Sequence, residues 1–175
     1  MSTDVERANE LLRTWVGRTC EAFRREGDWL FVFSHGGSAP APERPPDHAD
    51  VAVWCAWRLI AEGRKRLFGR DINRRIVRCS GDDGHQFGHP APVDAQAEAQ
   101  KVIGESRVAT VTIDAVTNDL EITFETGTVL QIVSNSAGYE AWYATGMRPD
   151  GVMEDVVATG GGLAFFESSL PTAES

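Results

Sequence analysis

The sequence predicts an α+β protein: a mainly antiparallel β meander or curved sheet of about seven to nine strands, with an N-terminal amphipathic helix and a second short helix. Three observations carry this expectation. Apolar and polar residues alternate along DLEITFETGTVLQI, residues 119–132. Apolar residues recur every three or four positions near the N-terminus. Turn-forming residues divide residues 107–167 into short runs.

The spacing predicts a helix over residues 4–26. Val5, Ala8, Leu12, Trp15 or Val16, Thr19 and Phe23 fall on one stripe. Thr3 and Glu6 make a capping box, Arg24 and Arg25 occupy the last turn, and Gly27 follows. Cys20 falls near the apolar face and reads as packing. Residues 28–34, DWLFVFS, have the length and aromatic content of a buried strand. Residues 35–50, with four prolines and Gly36-Gly37, read as a loop within a single domain spanning 1–175. Residues 51–60 and 65–68 predict a hairpin around Glu62-Gly63. On its first strand Val53, Cys55, Trp57 and Leu59 share one face, and Ala52, Trp54, Ala56, Arg58 and Ile60 the other.

Residues 78–92 form a polar loop, and 92–103 a short helix ended by Gly104. A strand at 108–113 and a turn at Thr117-Asn118 precede the alternating hairpin. Register selects its loop. A two-residue Thr126-Gly127 loop would pair Phe124 with Val129 and put Leu130 and Ile132 on the wrong face. A three-residue Glu125-Thr126-Gly127 loop pairs Ile122 with Leu130 and Leu120 with Ile132, with Gly127 in the left-handed position. After a turn at 135–138, a strand at 139–144 places Tyr139 and Tyr143 opposite Glu140 and Trp142. Pro149-Asp150-Gly151 is a turn. Short strands follow at 152–157 and 163–167, separated by Gly160-Gly161-Gly162, and a frayed tail closes the chain at 168–175.

The net charge of −9 is unevenly placed. Residues 1–90 carry 14 Lys+Arg against 13 Asp+Glu; residues 91–175 carry 3 against 13. An acidic half repels nucleic acid and favours basic partners, mainly through encounter rate. The one basic cluster is Arg58, Arg64, Lys65, Arg66, Arg70, Arg74, Arg75 and Arg78. Without aromatic interleaving or a nucleic-acid motif, it reads as a hairpin pairing with the acidic half. No run approaches the roughly 20 apolar residues of a membrane span, and the first residues lack the pattern of a signal peptide. Three widely spaced cysteines fit reduced thiols in a cytoplasmic protein.

Motifs for chemistry are lacking. No hydrolase elbow, P-loop, dinucleotide fingerprint or zinc motif occurs. Asp82, Asp83, His85 and His89 lie beside Cys79, but Gly84, Gly88 and Pro90 deny them helical geometry, so no metal site is expected. No cofactor and no catalytic residue is assigned. The candidate binding residues are Trp57, Arg58, Tyr139, Glu140 and Trp142: amphipathic aromatics and charges of the kind that anchor interfaces.

Cys55-Ala56-Trp57-Arg58-Leu59, Gly69-x-Asp71, Asp119-Leu120-x-x-x-Phe124-x-x-Gly127-x-x-Leu130, Tyr139-Glu140-x-Trp142 and Gly160-Gly161-Gly162 resemble a family of small bacterial proteins of unknown function. There a Cys-x-Trp-Arg strand precedes a helix and a similar meander; here the segment between Leu59 and Pro92 is longer. Some such proteins are similar to immunity proteins of polymorphic toxin systems. The resemblance implies a bacterial inhibitor of a basic, toxin-like partner protein and supplies no catalytic residues. The alternative expectation is a small-molecule binder or enzyme with a pocket in the curved sheet, lined by Trp57, Arg58, Tyr139 and Glu140.

Overall fold

A computed structural model of the chain describes residues 3–25, 28–34, 50–61, 64–68, 95–135 and 139–168. The fold is α+β, and its described residues form eleven strands, above the expected count. In chain order they are α1 (Thr3–Leu12), a 3-10 turn (Arg13–Trp15), β1 (Thr19–Arg25), β2 (Asp28–Ser34), β3 (Val51–Val53), β4 (Ala56–Ala61) and β5 (Arg64–Phe68). Then come α2 (Ala95–Ile103), β6 (Val108–Ile113), β7 (Leu120–Phe124), β8 (Val129–Val133), β9 (Trp142–Met147), β10 (Met153–Thr159) and β11 (Gly162–Glu167). The strands make two antiparallel sheets, β1-β2-β3-β9-β10-β11 and β5-β4-β8-β7-β6.

The extra strands come from two sequence expectations that the structure corrects. The helix expected over 4–26 ends at Leu12, and its second half is β1. Gly17 takes φ +83, a left-handed turn that a helix cannot pass through. Beyond it Cys20 and Ala22 are buried and Glu21 is exposed, which is strand alternation. Thr19 and Phe23 fit the helical stripe by spacing, but the same stretch also satisfies a period of two. β1 pairs with β2 along its whole length, with only Glu26 and Gly27 between paired Arg25 and Asp28.

The single strand expected over 51–60 is two strands in different sheets. Val51, Val53, Trp57 and Leu59 are all buried, so the inward parity is kept. The chain changes partners between them: Trp54 N donates to Ala141 O (3.1 Å), while Ala56 pairs with Val133. One alternation thus serves both sheets across a bend at Trp54-Cys55. The strand expected at 139–144 also starts later, at Trp142, and runs on to Met147 as β9.

The sheets pack through aromatic side chains. Trp57 of β4 meets Trp29 of β2 edge-on with ring centroids 4.7 Å apart, and Phe31 at 5.7 Å. Trp15 stacks on Phe33 at 4.6 Å and donates its indole N–H to Thr145 O (3.0 Å). At the β1 edge the sheets are stitched together: Gly17 N donates to Val108 O and Val108 N to Arg18 O, each 2.8 Å. Helix α1 lies against β6 and β9, one strand from each sheet, and α2 against β1, β4 and β5.

The docking of α1 includes a charge. Glu154 on β10 is 4% exposed. Arg7 of α1 pairs with both of its carboxylate oxygens and lies 4.2 Å over the Phe165 ring. Removing the cation strands a buried carboxylate, but Arg7 itself is half exposed, so solvent screens part of the loss. Arg7→Leu is expected to cost about 1–2 kcal/mol of unfolding free energy in a urea titration; a loss no larger than a surface substitution would show the pair to be ornamental.

The 119–132 hairpin has the expected register. Leu120 pairs with Ile132 and Ile122 with Leu130, all four fully buried. Phe124 N donates to Thr128 O and Gly127 N to Phe124 O, both 2.8 Å, which closes the Glu125-Thr126-Gly127 loop. Gly127 has φ +79, and a Cβ there would meet nothing within 4 Å. Gly127→Ala therefore carries a backbone cost alone, about 1 kcal/mol, readable as a shift in urea midpoint without change of slope.

Candidate functional site

The open cleft at one end of the six-stranded sheet is lined by Trp54, Tyr139, Glu140 and Thr159. It forms where three chain segments leave the ladder together. Trp54 begins the crossover from β3 to β4, residues 139–141 lead into β9, and Thr159 ends β10. Trp54 N donates to Ala141 O (3.1 Å) and Ala141 N to Ala158 O (2.8 Å), so backbone bonds fix the three segments side by side. Thr159 Oγ1 accepts from Gly161 N (3.2 Å) and donates to Gly162 O (3.0 Å), holding the glycine turn closed. The cleft has a volume of about 560 Å³. Trp54 is 47% exposed and Tyr139 84% exposed, with Glu140 exposed beside them.

The five residues singled out from the sequence separate into three places. Tyr139 and Glu140 line the cleft. Trp57 and Trp142 are core: Trp57 is 1% exposed between the sheets, and Trp142, fully buried, donates its indole N–H to Asn118 O (3.0 Å). Arg58 points out of the second sheet, where its Nε donates to Gln131 Oε1 (2.6 Å) and Gln131 Nε2 donates to Glu121 Oε2 (2.6 Å). Trp57, Arg58, Tyr139 and Glu140 therefore do not line one pocket. The side chains of the basic cluster beyond Arg58 and the loop at 78–92 lie outside the described residues, as do residues 35–49, 136–138 and 169–175.

Sequence reasoning missed Trp54. The alternation places it on a strand face, whereas the β3–β4 bend ends that strand and lets the indole emerge. The available signal was an alternation that runs for ten residues through an aromatic-rich stretch, longer than the usual strand.

A second polar group sits on the outer face of the same sheet. Thr145 is fully buried and its Oγ1 lies 2.8 Å from both Tyr143 Oη and Asp155 Oδ1. A carboxylate only accepts, so the threonine gives its one proton to Asp155 and takes the phenol's. Asp50, 1% exposed, accepts from Phe33 N (2.6 Å). Burial raises the Tyr143 phenol well above its ordinary value, with Asp155 and Asp50 adding to it. The phenol stays protonated at neutral pH, which suits a structural donor better than a base. Among the described residues no three His, Cys, Asp or Glu side chains group to hold a metal ion. Nor does any described helix have the length and apolarity to cross a membrane.

Burial pushes the half-buried Cys55 thiol up to about 12, with Asp119 adding to the rise. Cys20 is raised too, chiefly by burial. A thiol held neutral in the folded state contributes stability that is intact below its ordinary value of 9.0 and is lost as pH rises toward about 12. In a Cys79→Ser variant, Cys20 should not react with a disulfide reagent at pH near 8 until the chain unfolds, and half-buried Cys55 should react more slowly than an exposed thiol. Rapid labelling of Cys20 in the folded variant would contradict its burial.

No family model, no curated protein and no solved structure matches the chain. The family resemblance thus rests on the short motifs alone, and the Tyr-Glu-x-Trp motif among them divides here between cleft and core.

Proposed function

We propose that the protein is a non-catalytic cytoplasmic binding protein that docks a basic partner protein on the Trp54–Tyr139–Glu140 cleft, in the manner of an immunity-type inhibitor of a toxin. One observation carries this reading. Of five tryptophans, four are at most 3% exposed, and Trp54 is 47% exposed in the cleft beside exposed Tyr139. Covering about half of a tryptophan surface of roughly 200 Å² gains a partner about 2–3 kcal/mol at about 25 cal/mol per Å². Tryptophan and tyrosine in a partly enclosed setting are the side chains that most often dominate interface energies. Glu140 and the 3-to-13 charge imbalance of residues 91–175 favour a basic partner and speed its approach.

The test is retention of a basic protein from the lysate of the chain's own organism by the immobilised protein. Retention is expected at about 0.05 M salt and release at about 0.5 M. Trp54→Ala and Glu140→Gln should each reduce retention about tenfold or more, while changing unfolding free energy by less than about 0.5 kcal/mol. Retention indifferent to Trp54 would remove the cleft as the docking face.

A further inference from the structure

We infer that the cleft seats a single cationic side chain of the partner, an arginine, between the Trp54 and Tyr139 rings with Glu140 as its counter-charge. This rests on the docking reading above and adds the chemistry of the occupant. Among the described residues the lining comprises two exposed aromatic side chains, one carboxylate and one hydroxyl. An apolar side chain would use the rings but would leave the Glu140 carboxylate to be desolvated without a partner. An anionic one would be repelled by it. A cation satisfies both features: aromatic faces carry negative potential that attracts it, and the carboxylate neutralises it. The same device already operates elsewhere in this fold, where Arg7 lies 4.2 Å over the Phe165 ring while pairing with Glu154.

Arginine fits better than lysine. Its planar guanidinium stacks on an aromatic ring while its edge meets a carboxylate with two N–H donors, and it sheds water more readily than an ammonium. The volume of about 560 Å³ accommodates one long side chain together with part of its backbone. The backbone of Trp54 is bonded to Ala141 and that of Ala141 to Ala158, so the segment that carries the Trp54 ring is held in place before the partner arrives.

Trp54 provides the readout. It is the one exposed indole among five, and a Trp54→Phe variant identifies its N–H signal in a nitrogen-edited NMR spectrum of the full chain. The probes are the amides of N-acetyl-arginine, N-acetyl-lysine and N-acetyl-citrulline, the last a neutral isostere of arginine. The arginine amide should shift the Trp54 signal saturably. Citrulline should need at least about tenfold more, lysine should fall between, and the other four indole signals should stay in place. Glu140→Gln and Tyr139→Leu, both exposed sites, should each weaken the arginine response about fivefold or more. Equal responses to arginine and citrulline would overturn the cation assignment, as would a response unaffected by Glu140→Gln. If the arginine amide is silent but a basic protein is retained through Trp54, the docking face stands and the arginine seat falls. If neither binds, both fall.

Discussion

Trp57→Ala is expected to lower the unfolding free energy by about 3–5 kcal/mol, measured by urea denaturation. The side chain is 1% exposed and joins the two sheets: it projects from β4 and meets Trp29 and Phe31 of β2 at 4.7 and 5.7 Å. Truncation leaves a cavity walled by strands of two different sheets, which cannot collapse without moving one sheet on the other. Among the described residues the indole N–H of Trp57 has no hydrogen-bond partner, nor does that of Trp29. A buried unpaired donor costs about 1–3 kcal/mol, so Trp57→Phe loses ring volume but also sheds that cost. Its net loss should be under about 1.5 kcal/mol. If Trp57→Phe proves as damaging as Trp57→Ala, the N–H matters more than the packing and this account of the inter-sheet contact is wrong.

The contrast bears on how a sequence reveals a core. Trp57 was singled out as a binding residue because aromatic side chains serve both interfaces and interiors, and composition does not separate the two uses. What separates them is which sheet the neighbouring strand faces. That depended on the bend at Trp54-Cys55, whose one local sign is an alternation longer than the usual strand, since Val51, Val53, Trp57 and Leu59 keep one parity through it. The 119–132 hairpin was legible to the residue because its loop length and its burial pattern constrain each other. The turns at Asn118, at φ +57, and Gly151, at φ +84, were legible because their residue types tolerate left-handed backbone. The false helix over 13–25 shows the converse: Thr19, Cys20, Ala22 and Phe23 satisfy both periods, and the tie was broken by Gly17 and by pairing with β2.

The candidate site was half legible. The alternation of an expected strand over 139–144 puts Tyr139 and Glu140 on opposite faces; both line the cleft, because the strand begins only at Trp142. Trp142, two residues on, belongs to the core because β9 begins there and its inward face packs against the rest of the fold. Trp54 completes the cleft from 85 positions away in the chain. It reaches the site because β3 pairs with β9 in the register Val53 opposite Trp142. That long-range pairing was not inferable from local alternation, which states the face of a strand but not its neighbour.

Gly146→Ala should also be among the most damaging single changes, and for a reason invisible in one dimension. Gly146 lies within β9, one residue before its end, where a glycine has no turn to make. Its role is to leave room. A Cβ built there would stand 2.6 Å from both Leu11 Cγ and Leu11 O and 2.9 Å from Leu11 C. The side-chain atom can swing away; the two backbone atoms move only with the last turn of α1. That helix is fixed by Arg7 on Glu154 and by Asn9 Oδ1 accepting from Ile113 N (2.8 Å), and the 3-10 turn that follows it by Trp15 donating to Thr145 O (3.0 Å). Shifting it strains all three, so a cost of about 3 kcal/mol or more is expected, at the upper end for an added methyl. This corresponds to a fall in melting temperature of about 6–12 °C for a chain of this size. A double-mutant cycle locates the clash. Leu11→Ala removes the Cγ overlap but leaves the carbonyl in place, so it should recover only about 1 kcal/mol of the Gly146→Ala loss. Full recovery would place the conflict in the Leu11 side chain alone, and α1 would then be free to sit closer to β9 than its backbone contact with Gly146 allows.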